Sequence, residues 1–123
     1  THCISSAASD VYKRQLIDSA KDYVHRNYRS VDLGLDDTCK ELGVSNSYFS
    51  SLFKKETGSS FVEYLTDYRM DKAARMLVET DDKSYVIAQN VGYADPNYFS
   101  YVFKRKYGVS PSRYRTEYEK NKV

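Results

Sequence analysis

The sequence predicts an all-α fold of about seven helices, arranged as two helix-turn-helix subdomains joined by a long linking helix. Three observations carry that expectation. Residues 46–60, NSYFSSLFKKETGSS, lie fifty positions before residues 96–110, PNYFSYVFKRKYGVS, with identities at Tyr48/Tyr98, Phe49/Phe99, Ser50/Ser100, Phe53/Phe103, Lys54/Lys104, Gly58/Gly108 and Ser60/Ser110. Upstream of each copy stands a shorter helical pattern closed by glycine, Cys39-Lys-Glu-Leu42-Gly43 and Ala88-Gln-Asn-Val91-Gly92, the second turn being one residue longer. Between the copies, apolar residues recur at helical spacing without a breaker.

In chain order, residues 1–15 are read as a tail, and the string from Asp10 to Gln15 resembles non-native end sequence with no function of its own. The folded domain is expected over residues 16–118. Leu16, Ile17, Ala20, Tyr23, Val24 and Tyr28 make one face of a first amphipathic helix. The first helix-turn-helix is expected over about 35–57. Leu35, Cys39 and Leu42 line its first helix, Gly43 ends that helix by accepting a left-handed backbone, and Ser45 caps the next. Ser60 and Glu63 then fit a reciprocal capping box. They open a linking helix over about 61–78, on which Phe61, Val62, Tyr64, Leu65, Tyr68, Met70, Ala73, Ala74, Met76 and Leu77 populate more than one face, so burial on two sides is expected. At roughly 1.5 Å per residue it would span on the order of 27 Å. The second helix-turn-helix, over about 84–107, repeats the scheme: Val86 or Ile87 with Ala88 and Val91 inside, Gly92 closing, Asp95 capping and Pro96 at the first helical position. Ser110-Pro111 opens a last helix over about 111–118 carrying Tyr114 and Tyr118, and residues 119–123 are a second tail.

Composition excludes several function classes. A chain of 123 residues that is 41% hydrophobic, with thirteen tyrosines and no tryptophan, suits one domain with a real core and does not read as disordered. It has no long apolar run and no signal region, so no membrane partner is indicated and the cytoplasm is the expected location. Cys3 and Cys39 cannot make a disulfide framework or a four-ligand zinc site. Both are expected to be reduced, with Cys39, like Ala88, a small residue where helices cross closely. His2 lies in the tail and His25 on the first helix, neither at metal-ligand spacing, and the repeated glycines end helices rather than cradle a phosphate. No catalytic residue, metal or cofactor is expected.

The formal net charge of +2 identifies nothing by itself, but its distribution is uneven. Residues 32–60 carry Lys40, Lys54 and Lys55 against Asp32, Asp36, Asp37, Glu41 and Glu56, a net of −2. Residues 84–115 carry Lys104, Arg105, Lys106, Arg113 and Arg115 against Asp95, a net of +4. In the second helix of each unit, Phe49, Leu52 and Phe53, or Phe99, Val102 and Phe103, form the inward stripe. The complementary stripe is Ser47, Ser50, Ser51 and Lys54 in the first copy and Asn97, Ser100, Tyr101 and Lys104 in the second. A short polar face beginning at a helix N-terminus suits the major groove of DNA, although each residue taken singly is equally an ordinary solvated position. A helical protein-interaction module is the rival reading, and two unequal units with a basic second half fit it poorly.

From Leu35 to about Tyr118 the residues resemble the AraC/XylS transcription regulators. The resemblance rests on Ile87-Ala88-x-x-Val91-Gly92-Tyr93, on Asp95-x-x-Tyr98-Phe99-Ser100-x-x-Phe103-Lys104 and on Gly108-x-Ser110-Pro111-x-x-Tyr114-Arg115. It is supported by Tyr48-Phe49-Ser50-x-x-Phe53-Lys54 and Tyr68-Arg69-Met70 in the first half. The Tyr-Phe-Ser style is similar to regulators in which such a domain follows a phosphorylated receiver. The resemblance implies base readout of double-stranded DNA by Asn46, Ser47, Ser50 and Ser51 and by Asn97, Ser100 and Tyr101. The family often carries Arg, Gln or Trp at such positions, so the serine-rich first helix departs from the pattern. Lys54, Lys104, Arg105 and the helix N-termini at Ser60 and Ser110 would hold phosphates, with Lys55 and Lys106 as lesser candidates. Arg69 would either reach a phosphate or brace the two units through carboxylates or carbonyls. One copy would occupy one asymmetric site of two segments about one helical turn apart. Further implied partners are RNA polymerase and, in the parent protein, an N-terminal sensory or receiver domain.

Overall fold

The computed structural model describes residues 6–121, with side chains from Asp10 onward. The expectations for His2 and Cys3, and for residues 1–5 and 122–123 of the two tails, lie outside the described residues, whereas Glu119 and Lys120, expected in the second tail, belong to the last helix. Seven α-helices and no strand are found among the described residues: α1 (Ser6–Asn27), α2 (Leu35–Leu42), α3 (Asn46–Thr57), α4 (Phe61–Glu79), α5 (Ser84–Asn90), α6 (Pro96–Tyr107) and α7 (Pro111–Lys120). The helix α1 starts well before Leu16, so residues 6–15, expected as a tail, are helical. No Gly or Pro interrupts 6–27, and once a helix is nucleated each further residue adds a hydrogen bond.

The helices divide into two compact units, with the continuous helix α4 contributing to both. The first unit holds α1, α2, α3 and α4 as far as Leu65; the second holds Tyr28–Asp32, α4 from Thr66, and α5 to α7.

In the first unit, Gly43 closes α2 at φ 72° and Ser45 caps α3 by accepting from the Tyr48 amide at 3.2 Å. Gly34 precedes α2 without a side-chain cap, and the Thr38 hydroxyl donates to its carbonyl at 2.8 Å. Phe49, Phe53 and Phe61 are buried with ring centroids 5.4 to 5.6 Å apart, and Tyr64 meets Phe53 edge-on at 5.6 Å. Such tilted and edge contacts add to the burial of the rings themselves. Cys39 is buried in this core, and desolvation, followed by the nearby Asp36, raises its thiol above the usual value, which leaves it a packing residue. The linking helix is less uniformly buried than its composition suggests: Phe61, Leu65, Met70, Ala73, Ala74 and Leu77 are inside, whereas Val62 is 57% exposed.

In the second unit the same scheme recurs. Ile87, rather than Val86, takes the buried position beside Ala88 and Val91. The Asp95 carboxylate accepts from the Asn97 amide at 2.9 Å, Pro96 opens α6, and the Ser110 hydroxyl accepts from the Arg113 amide at 3.3 Å. Phe99, Phe103, Tyr107 and Tyr114 form the aromatic core, with Phe103 and Tyr114 edge-on at 5.4 Å. Phe53–Tyr64 and Phe103–Tyr114 are the same contact fifty residues apart, so the repeat extends into the helix that follows each unit.

Three cationic side chains brace the second unit from within. Arg69 is 7% exposed and donates from Nε to the Tyr28 carbonyl at 3.1 Å and from Nη2 to the Ser30 carbonyl at 2.8 Å. Burial lowers its pKa from the ordinary value, and the neighbouring Tyr93 partly offsets this. Arg115 ties down the end of α4 and the turn after it, donating to the carbonyls of Leu77, Thr80 and Asp82 at 2.7 to 3.0 Å. Lys106 ion-pairs with Asp67 at 3.4 Å and Asp71 at 3.1 Å. The Tyr107 hydroxyl also donates to Asp71, at 3.0 Å, and burial followed by this bond pushes the phenol far above its usual range.

Candidate nucleic-acid interface

Each turn between paired helices delivers a second helix whose inner face is fixed by two phenylalanines. The outer face of α3 then presents Ser47, Ser51 and Lys54, all exposed, and that of α6 presents Asn97, Tyr101 and Lys104, also exposed. These are i, i+4, i+7 positions, one continuous stripe along each helix. Lys54 and Lys104 make no ion pair among the described residues, so both ammonium groups are available to an anion.

Other expected positions are placed differently. Ser50 and Ser100 are half-buried at the edge of the stripe in both copies, because at 100° per residue each lies only about 60° from the inward Phe53 or Phe103. Asn46 is exposed, but its amide nitrogen donates to Asp36 on α2 at 3.3 Å. Arg105 lies against Tyr101, with its guanidinium 5.8 Å from the ring centroid and Nη1 donating to the phenol oxygen at 3.5 Å. The solvent side of Arg105 remains exposed.

The two helix N-termini expected to hold phosphate are not equivalent. At Ser60 the capping box is complete: the Ser60 amide donates to the Glu63 carboxylate at 3.2 Å and the Glu63 amide to the Ser60 hydroxyl at 3.1 Å. The Ser60 amide, then the Ser60 hydroxyl beside the carboxylate and the nearby Lys54, hold the Glu63 carboxyl below its usual pKa, so a negative charge already occupies the position assigned to a phosphate. At Ser110 the residue fifty positions after Glu63 is Arg113, which pairs with Glu117 at 3.3 Å on the surface. The first turn of α7 thus carries a cationic side chain where that of α4 carries a carboxylate.

The late concentration of basic charge is also reduced by the fold. Lys106 and Arg115 are engaged internally, which leaves Lys104, Arg105 and Arg113 at the surface. Arg69 is bound to carbonyls, the structural alternative, and both carbonyls belong to the same unit as Arg69 itself. One outward residue escaped sequence reasoning. Tyr98 is 55% exposed and stacks with Tyr101 at 6.3 Å between centroids, and its counterpart Tyr48 is exposed as well. The signal was its i, i+3, i+7 relation to Tyr101 and Arg105.

No helix among the described residues is long and apolar enough to cross a membrane. No cluster of residues suited to hold a metal ion occurs among them.

Residues 38–117 match the model of the family described as a helix-turn-helix domain. The chain is 39% identical to the C-terminal domain of AraT, a response regulator from Geobacillus stearothermophilus, with a TM-score of 0.81 over 83% of this chain and 84% of that one. It is 34% identical to the C-terminal domain of the two-component response regulator yesN from Fusobacterium nucleatum, with a TM-score of 0.77 over 89% and 99%. Among curated proteins it is 36% identical over 80 residues to the lactose operon transcription activator of Staphylococcus xylosus, which is 65% of this chain but only 28% of the activator. The duplicated turn, the outward polar stripes and these likenesses agree: the chain belongs to the helix-turn-helix domain family and is an AraC-type DNA-binding domain of bacterial transcription regulators, a non-enzymatic family.

Proposed function

We propose that this domain recognises one asymmetric site on double-stranded DNA by laying α3 and α6 into the major groove, the two helices reading separate short blocks of sequence. The observation that carries the reading is the repeated stripe opposite a buried phenylalanine pair: Ser47, Ser51 and Lys54 on α3, and Asn97, Tyr101 and Lys104 on α6. Side chains near the start of such a helix meet base edges, and lysines toward its end meet the backbone. Asn97 is the strongest reader, since an amide can bond bidentately to adenine. Asn46 reads only by releasing Asp36, and Ser50 and Ser100 contribute from the edge of the stripe. Lys54, Lys104, Arg105 and the α7 N-terminus at Ser110 hold phosphates, whereas Ser60 does so only against the charge of Glu63.

The parent protein in this reading is a regulator in which an N-terminal sensory or receiver domain controls the output described here, and RNA polymerase is its second partner. Likeness to two response-regulator C-terminal domains supports the first part, and the family resemblance supports the second. Selection of bound duplexes from a random DNA pool at two salt concentrations tests the DNA reading. Two short conserved blocks are expected, with affinity falling steeply as salt rises because phosphate contacts release counterions. Salt-sensitive binding without any motif, or no binding, would overturn it.

A further inference from the structure

We infer that Tyr98 and Tyr101 form an aromatic seat on α6 for the C5-methyl groups of thymine bases, with Arg105 clamping the seat in place. The inference rests on the reading of α6 as a groove-entering helix and names the base chemistry it selects.

A chain of rings runs outward from the core. Tyr93 is buried, Tyr98 lies 6.0 Å from it, Tyr101 lies 6.3 Å from Tyr98 at an interplanar angle of 29°, and Arg105 closes the series over Tyr101. Both outer rings are more than half exposed, at 55% and 56%. An exposed tyrosine commonly samples several rotamers, but here each ring has a neighbour on either side, so little freedom is lost when a ligand arrives. Lys104 and Arg105 flank the pair with positive charge, which suits a polyanion and disfavours an apolar protein surface. Among the groups that base pairs present in the major groove, the thymine methyl is the apolar one. A stacked, pre-ordered aromatic pair on a helix that enters that groove therefore has a thymine methyl as its matching occupant. The first unit lacks the device: the positions fifty residues earlier are Tyr48, Ser51 and Lys55, and Val44 follows Gly43 where Tyr93 follows Gly92.

The test replaces thymine by deoxyuridine, one position at a time, in a duplex enriched from the random pool, which deletes the methyl group and leaves base pairing intact. The wild-type domain is expected to bind about fourfold more weakly at one or two neighbouring thymines within a single block. Tyr101→Ala and Tyr98→Ala, with folding verified by thermal unfolding, should lose that sensitivity, and Tyr101→Phe should keep it. Indifference of the wild-type domain to deoxyuridine throughout an enriched motif would overturn the seat while leaving the groove reading intact. So would a Tyr101→Phe variant that binds every sequence equally more weakly, as a phenol on a phosphate predicts. Absence of any enriched motif would instead overturn the groove reading, and the seat with it.

Discussion

The helices α3 and α6 stand on nearly the same scaffold and present different chemistry. Each follows a turn closed by a glycine at positive φ, each buries two phenylalanines four residues apart, and each leans on a tyrosine from the helix after it. Outward, Ser51 on α3 corresponds to Tyr101 on α6 and Lys55 to Arg105; at the caps Ser45 corresponds to Asp95, and in the following helix Glu63 corresponds to Arg113. The identities include the buried Phe49/Phe99 and Phe53/Phe103 and the outward Tyr48/Tyr98 and Lys54/Lys104, whereas positions 47, 51 and 55 differ from 97, 101 and 105. The duplicated part is therefore the frame with one outward lysine, and in the proposed reading the two units differ in the bases they select at the positions that diverged.

The frames themselves can be told apart most sharply at their glycines. A Cβ on Gly92 would stand 2.5 Å from the Tyr28 carbonyl oxygen and 2.9 Å from the Arg69 guanidinium, on a backbone at φ 95°. At Gly43, φ is 72° and nothing lies within 4 Å. Gly43→Ala is expected to lose about 1 kcal/mol, the left-handed penalty alone, whereas Gly92→Ala adds a steric conflict with backbone and should lose upward of ~3 kcal/mol. Denaturant unfolding of both variants decides it, and equal losses would mean that the second turn relaxes freely.

Arg69→Met should come next, at about 3 kcal/mol, because it leaves the Tyr28 and Ser30 carbonyls without their donors in a half-buried setting. The salt dependence of DNA binding by the folded variant distinguishes bracing from phosphate contact. An unchanged slope is expected, and a slope reduced by about one unit would assign Arg69 to the backbone.

Local signals made the frame legible in sequence. The caps at Ser45, Asp95 and Ser110, the Ser60/Glu63 box and the glycine turns each depend on residues within a few positions of one another, and all form as written. What sequence hid was long-range. The carbonyl partners of Arg69 and Arg115 lie more than thirty residues away, so the sequence left the role of Arg69 open between phosphate and bracing and gave no sign that Arg115 is engaged internally. Lys106 could have been suspected, since it follows Phe99 by seven residues and so shares its inward face, but Asp67 and Asp71 sit on another helix. Spacing alone puts Ser50 and Ser100 on the outward stripe, whereas their angular distance of about 60° from Phe53 and Phe103 leaves them half-buried at its edge.

The exposed faces give the next contrast. Asn97→Ala is expected to weaken binding by about 1–3 kcal/mol at one or two base pairs of the block read by α6, whereas Ser47→Ala or Ser51→Ala should change affinity by under about 0.5 kcal/mol. Lys54→Ala and Lys104→Ala should each lower the salt slope by about one and leave sequence preference unaltered. Competition between the enriched duplex and single-base variants measures both. A base-selective loss from the serine variants would show that α3 reads sequence as fully as α6 does, and would erase the functional half of the contrast.

The smallest expected effect concerns the helix that follows each unit. Glu63 holds its proton less tightly in the folded chain because the Ser60 amide and hydroxyl bond its carboxylate. Its stabilising contribution is thus fully present above the ordinary glutamate pKa near ~4.3 and is lost as pH falls through the lower folded value. Glu63→Gln keeps a side chain able to complete the capping box but removes the titration. The variant should be slightly less stable than the wild type at neutral pH, and the two should converge in acid, as thermal unfolding across pH 2–7 would reveal. The same substitution removes a negative charge from the α4 N-terminus, making that end resemble α7, where Arg113 stands at the matching position. If α4's N-terminus borders a phosphate, Glu63→Gln should tighten DNA binding at low salt by a few-fold and the gain should fade as salt rises. An affinity unchanged at every salt concentration would place phosphate contact at the α7 end alone, so that the two units differ in how they grip the backbone as well as in what they read.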